Sequence, residues 1–504
     1  MRDLGQIIKA YDVRAVYPDQ LDESLASDIG AAFVHIIRAG TSGTSAAAGA
    51  VGAAETASGP LSIVIGHDMR PSSIPLVEAF TAGATSQGAD VVHVGLVSTD
   101  ALSFASGRLQ MPGAMFTASH NPAQYNGIKL CRAGAVPVGQ DTGLREIRRL
   151  VEGGFAGTSG YDGPAGAVSS RDILGAYADY LKELVDLSGS RHLTAVVDAG
   201  NGMGGHTAPV VLAGLPLTVV PLFFELDGTF PNHEANPIDP ANLRDLQAKV
   251  SETGADLGLA FDGDADRCFV VDERGEIVTP STITALIAER ELARHPGATI
   301  IHNLITSRTV TEVVLAHGGV PVRTRVGHSF IKQVMAETGA VFGGEHSGHF
   351  YFRDFWRADS GMLAALHVLA ALGQSPAGTT LSSLLAGYDR YVVSGEINST
   401  VDDAAARAAA VEAAYADGGT ASAEGPVTVD HLDGLTVDAA DWWFNLRASN
   451  TEPLLRLNVE AVDAPTMEHV RDLVLAMVRQ GTVPAPISPA KLSPAKLSVS
   501  QEQV

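Results

Sequence analysis

Four short apolar runs, Ile63-Val-Ile-Gly66, Ala195-Val-Val-Asp198, Leu257-Gly-Leu-Ala-Phe261 and Thr299-Ile-Ile-His302, each reach a polar or glycine-rich turn and then a helix-like stretch. Strands alternating with helices predict an α/β fold. Three of the runs end in comparable turns, His67-Asp-Met-Arg-Pro71, Ala199-Gly-Asn-Gly-Met-Gly-Gly205 and Asn303-Leu-Ile-Thr-Ser-Arg308, so three of the domains read as related modules. A chain of 504 residues exceeds one core, and about 150 residues per domain gives roughly three to four domains.

With 34 basic and 57 acidic side chains the net charge is -23, which repels nucleic acid and anionic membrane surfaces and requires a locally basic cleft for any anionic substrate. The first residues lack the apolar core of a signal peptide, and no window approaches the ~18 apolar residues of a membrane span. A cytosolic location is expected, with monomer or homodimer left open. Cys131 and Cys268 are the two cysteines; they make no disulfide framework and read as reduced and structural. The Ala/Gly/Ser/Thr tract between Gly40 and Pro60 reads as a flexible surface loop. Gly153 to Gly166 reads as a domain boundary ahead of a helix over 172–185, and residues 481–504, with Ser-Pro-Ala-Lys-Leu repeated from Ser488, as a disordered tail.

Thr117-Ala-Ser119-His120-Asn-Pro-Ala-Gln-Tyr-Asn-Gly-Ile-Lys129 offers one nucleophilic hydroxyl in a polar turn closed by a lysine. Phosphoryl transfer through Ser119 would need a cation and a proton shuttle, for which Lys129 and His120 are the local candidates; the alternative makes Ser119 a helix cap or turn residue. Asp262-Gly-Asp264-Ala-Asp266-Arg267 spaces three carboxylates by two, with small residues between that let the loop curl around an ion. Without a cation each carboxylate pair near 4 Å repels by roughly 4 kcal/mol at an effective dielectric of 20, so the loop is either a solvated acidic turn or a site for a hard cation, Mg²⁺ for phosphoryl chemistry. Gly343-Gly-Glu345-His346-Ser347-Gly-His349 could turn Glu345 and Ser347 toward adjacent sugar hydroxyls, or only build a turn. Arg447-Ala-Ser449-Asn450-Thr451-Glu-Pro-Leu-Leu-Arg456 gathers two guanidiniums and three short polar side chains, as a phosphate dianion requires, on a polar turn between two strands.

These four motifs, in this order, resemble the α-D-phosphohexomutase superfamily, and within it the bacterial phosphomannomutase/phosphoglucomutase group, from about Ile8 to Val478. The resemblance implies three related mixed-sheet α/β modules and a smaller C-terminal α+β domain around a central cleft: 1–167 with the phosphoserine loop, 168–275 with the metal loop, 276–390 for sugar recognition and 391–480 for phosphate binding. It implies that Ser119 is the phosphoserine and that Asp262, Asp264 and Asp266 bind Mg²⁺ with its phosphate oxygen, assisted by Arg267. It further implies that Glu345, Ser347 and His349 grip the sugar and that Arg447, Ser449, Asn450, Thr451 and Arg456 hold the phosphate that does not react. Tyr11-Asp-Val-Arg14 looks like the family's N-terminal loop, whose arginine approaches the phosphoserine, and Gly327-His328-Ser329 like its third-domain loop, whose histidine lies near the reacting hydroxyl. Two departures stand out: Ala15 replaces the usual glycine, and Ile305 replaces a lysine of close relatives.

The implied activity interconverts hexose 1-phosphate and 6-phosphate, of mannose or glucose, through a hexose 1,6-bisphosphate that also serves as activator, with the C-terminal domain hinging near residue 390. Phosphoglucosamine mutase is the nearest alternative. Two other classes compete: a dinucleotide-dependent oxidoreductase, because Gly200-Asn-Gly202-Met-Gly-Gly205 follows a strand with Glu225 downstream, and a non-catalytic sugar-phosphate binder.

Overall fold

The structure is a computed structural model and describes residues 3–42, 61–154, 161, 163–416, 426–448 and 454–480. The chain divides into two compact units, Met1–Asp389 and Arg390–Val504.

Three sheets in the first unit repeat one strand order. Ser62–His67 lies between Asp90–Leu96 and Gly113–Phe116, parallel to both, and Gly113–Phe116 turns back into antiparallel Tyr125–Arg132. Leu193–Asp198 likewise lies between Leu217–Leu222 and Leu257–Phe261, which turns back into Cys268–Asp272. Thr299–Asn303 lies between Val320–Thr324 and Phe342–Gly344, which turns back into Phe350–Phe352. Each sheet therefore offers two neighbouring loops at one edge, the turn leaving its central parallel strand and the turn joining its antiparallel pair. Every motif read from the first unit's sequence except the N-terminal and third-domain loops falls on one of these turns, at the carboxyl ends of parallel strands where open α/β sheets place ligands.

The strands form where β-branched and other apolar residues run together, and Leu257–Phe261 and Cys268–Asp272 are buried at every position, as strands covered on both faces are. One apolar cluster runs through all three sheets, and the helix Gly361–Gly373, apolar on every side, is buried along its whole length within it.

Several expectations need correction. The run Leu257–Phe261 passes directly into a strand, not a helix. The helix Glu23–Ser42 extends through Gly40 to Ser42, into the segment read as a loop; residues 43–60 and the tail 481–504 lie outside the described residues. Val168–Ser170 pairs with Asp90–Leu96 and Ile277–Val278 with Cys268–Asp272. The first sheet thus reaches Ser170 and the second Val278. Ala15 lies in the strand Val13–Val16, paired opposite Asn126, where no left-handed backbone is demanded and alanine fits. Ile305 is buried in the turn after Thr299–Asn303.

The second unit is a sheet of antiparallel strands carrying the helices Ala404–Tyr415 and Ala464–Gln480. Its central hairpin, Trp442–Ala448 with Leu454–Ala461, places Arg447 opposite Arg456. Among the described residues no helix is long and apolar enough to cross a membrane.

Candidate active site

Ser119 has a left-handed backbone, φ 50°, and is 2% exposed. A non-glycine residue pays roughly 1–3 kcal/mol for that conformation. Here its amide donates to Thr117 Oγ1 at 2.9 Å, and its hydroxyl donates to Asp262 Oδ2 at 2.8 Å. Ser119 and Asp262, 143 residues apart in the chain, thus meet through a hydrogen bond.

The aspartate loop joins Leu257–Phe261 to Cys268–Asp272 in a tight turn closed by the Ala265 amide on the Asp262 carbonyl, with Ala265 at φ 59°. Asp262, Asp264 and Asp266 are at most 1% exposed, and a ligand oxygen from each lies within 4.8 Å of the others. Lys129 reaches in from Tyr125–Arg132 to bridge Asp264 at 2.7 Å and Asp266 at 2.8 Å. Thr99 donates to Asp264 at 2.5 Å, and the Arg267 guanidinium lies 3.4 Å from Asp262. One oxygen each of Asp264 and Asp266 is buried and accepts no hydrogen bond. Three buried carboxylates with two orphaned oxygens fit a hard divalent cation, for which oxygen donors are the right chemistry.

The charges follow from burial and proximity. Burial, then Asp266 and Asp264, push the Asp262 carboxyl well above its ordinary range. Burial also acts to raise Asp264 and Asp266, but Lys129 and other partners outweigh it and hold both below that range. Burial opposes the Lys129 ammonium, and Asp264 and Asp266 more than reverse this, so the lysine stays charged. The nearby Arg267 cation, together with burial and Arg14, drives the His120 imidazole down to about 2. Arg267 donates to His120 Nδ1 at 2.9 Å, and Ser119 Oγ lies 3.2 Å from the same nitrogen. With Nδ1 accepting from Arg267, the His120 ring is held neutral in this geometry.

Arg14 donates to Asn121, two residues past Ser119, at 2.8 Å and to Asp12 at 2.6 Å. Burial opposes its charge, and Asp12, Asp264 and Asp266 raise its pKa past that effect. The Tyr11 ring meets Phe330 edge-on at 6.4 Å, and a side chain on Gly327, at φ 133°, would come within 3.3 Å of the Tyr11 hydroxyl. His328 opens the helix His328–Thr338; its side chain lies outside the described residues, as do Ser449, Asn450 and Thr451.

The sugar-loop candidates sit on the third hairpin turn. Glu345, buried, accepts from the Tyr351 hydroxyl at 2.9 Å, the Gly327 amide at 3.2 Å and Ser347 at 3.3 Å, and burial still raises its pKa. Ser347 Oγ lies 3.0 Å from His349 Nδ1, while His349 Nε2 lies 3.6 Å from Asp266 and 3.8 Å from Asp359. The Cys268 amide donates to the Gly348 carbonyl, tying this turn to the metal loop. In the second unit, Arg447 and Arg456 share Glu396 at 2.8 and 3.3 Å.

In each module the turn after the central strand props the turn that carries chemistry. Arg70 donates to the Ser119 carbonyl, the Met203 amide to the Gly263 carbonyl, and the Asn303 amide group meets His346 Nδ1. The glycine loop at 200–205 accordingly faces the metal loop: a side chain on Gly202 would strike the Gly263 carbonyl at 2.7 Å. Its Gly202, Met203 and Gly205 amides are bonded within the protein instead of being presented to a pyrophosphate. Sequence reading missed Arg70, Thr99, Asp359 and Glu396. Only the Asp68-x-Arg70 pair, in a turn already singled out, gave a signal.

A mixed-sheet fold with a hydroxyl, an acidic triad and flanking cations defines a metal-dependent phosphotransfer enzyme. The family descriptions for phosphoglucomutase/phosphomannomutase match throughout: alpha/beta/alpha domain I over residues 5–156, domain II over 175–275, domain III over 279–391 and the C-terminal domain over 396–477. A protein of Xanthomonas campestris pv. campestris named phosphohexose mutases is 42% identical over 455 residues, 90% of this chain and 94% of its own. A phosphomannomutase of Salmonella typhimurium is 39% identical over 482 residues, 94% of this chain and 98% of its own. A crystal structure of a phosphoglucomutase/phosphomannomutase family protein from Burkholderia thailandensis superposes with a TM-score of 0.81 at 32% identity, covering 95% of this chain and 98% of that one. The chain belongs to the phosphoglucomutase/phosphomannomutase family, and is a phosphotransferase-type isomerase acting on hexose phosphates.

Proposed function

We propose that the protein interconverts hexose 1-phosphate and hexose 6-phosphate, with Ser119 as phosphoryl carrier and a hexose 1,6-bisphosphate as intermediate and activator. The observation that carries this reading is the 2.8 Å hydrogen bond from Ser119 to Asp262 inside a buried acidic cluster with orphaned oxygens. Asp262, Asp264, Asp266 and the Ser119 oxygen would hold Mg²⁺, which when bound supplies positive charge to the leaving serine oxygen. Lys129 balances Asp264 and Asp266, while Arg14 and Arg267 line the approach of the phosphoryl group with cations.

In the first half-reaction the bond from phosphorus to Ser119 Oγ breaks as a sugar hydroxyl bonds to phosphorus. The hydroxyl's proton passes to His349, which has Asp266 and Asp359 beside Nε2. The bisphosphate turns over, its other phosphate returns to Ser119, and His349 gives the proton back. Glu345 and Ser347 accept and donate to adjacent sugar hydroxyls, with Tyr11, Gly327 and His328 bordering them. Arg447, Ser449, Asn450, Thr451 and Arg456 hold the phosphate that does not react. The relatives named for mannose and for hexoses in general support activity on both mannose and glucose phosphates.

Glucose 1-phosphate and mannose 1-phosphate, assayed with catalytic bisphosphate, are expected to turn over within about a hundredfold of each other, since one hydroxyl's orientation is a modest discriminator where no buried polar group reads it. A preference of a thousandfold or more would refute dual use. Intact mass and peptide mapping are expected to find phosphate on Ser119, and Ser119→Ala to abolish turnover while still binding the sugar phosphate; turnover by that variant would refute the carrier role.

A further inference from the structure

The Arg70 side chain is wholly buried, and its hydrogen bonds go to Asp68 and to backbone carbonyls of the serine turn, not to the acidic triad. A guanidinium has five N–H donors in a fixed plane, and here all five find acceptors. Nε donates to Asp68 at 3.1 Å; the remaining four reach the carbonyls of Ser119 at 2.9 Å, Asn121 at 2.7 Å, Pro122 at 2.9 Å and Tyr125 at 3.0 Å. Asp68 is itself fixed by the Arg70 amide and the Ser73 hydroxyl.

The second module closes over this hub. The Phe230 ring lies 5.0 Å from the guanidinium, and a side chain on Gly228 would strike the Arg70 backbone at 2.7 Å. That segment hangs from the glycine loop, because the Asp227 amide donates to the Asn201 carbonyl. The metal loop touches the same peptide: a side chain on Gly263 would come within 2.5 Å of the Ser119 carbonyl. Ser119 is thus clamped at its carbonyl between Arg70 and Gly263, in a backbone conformation it would not adopt unaided.

We propose that Arg70 is a positioning residue for phosphoryl transfer, its guanidinium gathering the carbonyls of the 119–125 turn so that Ser119 presents Oγ to Asp262. The assignment rests on Ser119 being the phosphoryl carrier. Lysine at this position keeps the charge but has three donors on a flexible stem, so it cannot serve four carbonyls and a carboxylate. The turn would then drift, and a displacement of about 1 Å at the reacting atom costs on the order of 100-fold in rate.

The test uses the full chain bearing Arg70→Lys, with kcat and KM for glucose 1-phosphate and amide hydrogen exchange across residues 118–127. We expect kcat to fall at least about 100-fold with KM within about threefold, and exchange in the turn to rise at least about tenfold while Leu193–Asp198 is unchanged. A kcat within about threefold of wild type, or a loss of rate with unaltered exchange, overturns the proposal. If Arg70→Lys does not fold, Asp68→Asn decides: it keeps the guanidinium and removes its carboxylate partner, with at least about tenfold loss of kcat expected and a change within about threefold overturning the idea. Wild-type protein that turns over substrate without phosphate on Ser119 would sink the carrier reading and the assignment with it, whereas an unaltered kcat in Arg70→Lys with phosphate on Ser119 would overturn the assignment alone.

Discussion

Lys129 shows how far a single side chain can be read from the chain. Its place at the end of the serine motif marked it as a cation for phosphoryl chemistry, but its partners, Asp264 and Asp266, lie 135 and 137 residues away. Removing one partner of a buried ion pair typically costs about 3–5 kcal/mol, because the other charge stays buried. Lys129→Met is therefore expected to destabilise by roughly that amount, to be partly restored by Mg²⁺, which can neutralise the same carboxylates, and to lose at least about 100-fold in turnover. Thermal melts with and without Mg²⁺ check the first two points, and melts indifferent to Mg²⁺ would argue against a cation at the triad. Ser119 and the three aspartates were legible because their chemistry is concentrated within a few residues. Thr99, Arg70 and Glu396 were not, because a lone threonine, arginine or glutamate acquires meaning only from a partner that the fold delivers.

Among the elements, the glycine loop after Leu193–Asp198 carried the most misleading pattern. Glycines at 200, 202 and 205 report that something approaches the backbone closely, which is also what a dinucleotide fingerprint reports. At Gly202 the approaching group is the metal loop itself, at Gly205 the Phe224 carbonyl and at Gly200 the His233 ring. Gly202→Ala would force the two loops apart, so we expect a loss of about 1–3 kcal/mol in stability and a weaker Mg²⁺ requirement curve, shifted roughly tenfold to higher concentration. Calorimetry with NAD is expected to show no binding, and a measurable Kd would reinstate the oxidoreductase reading. The same geometry explains why the three turns after the central strands look alike. Each must lie flat beside the hairpin turn of its own sheet, and small or hydrogen-bonding residues satisfy that requirement.

Across the first unit, Asp100 joins what the chain keeps apart. Its carboxylate accepts from Ser98 at 2.5 Å, from Tyr177 at 2.7 Å on the helix Leu174–Leu184, and from Ser360 at 2.6 Å ahead of the helix Gly361–Gly373. Burial raises its pKa from 3.8 to about 6 against the three hydroxyls. Below the lower value both folded and unfolded chains hold the proton; between the two values only the folded one does. Stability from this group is thus complete in acid and is lost as pH rises through the window, by about 3 kcal/mol in all. Relative to Asp100→Asn, which cannot ionise, the wild-type melting midpoint should fall by a few degrees between pH 4 and 7; a constant gap would show that the carboxyl is not shifted. The α/β class and the chemistry of each motif were set by the chain alone, because strand periodicity and the functional groups of a short segment are local properties. Which turn props which, where each sheet ends and which carboxylate bridges three modules were decided only by the tertiary structure, since pairing, desolvation and ion contacts act between groups that sequence distance does not rank.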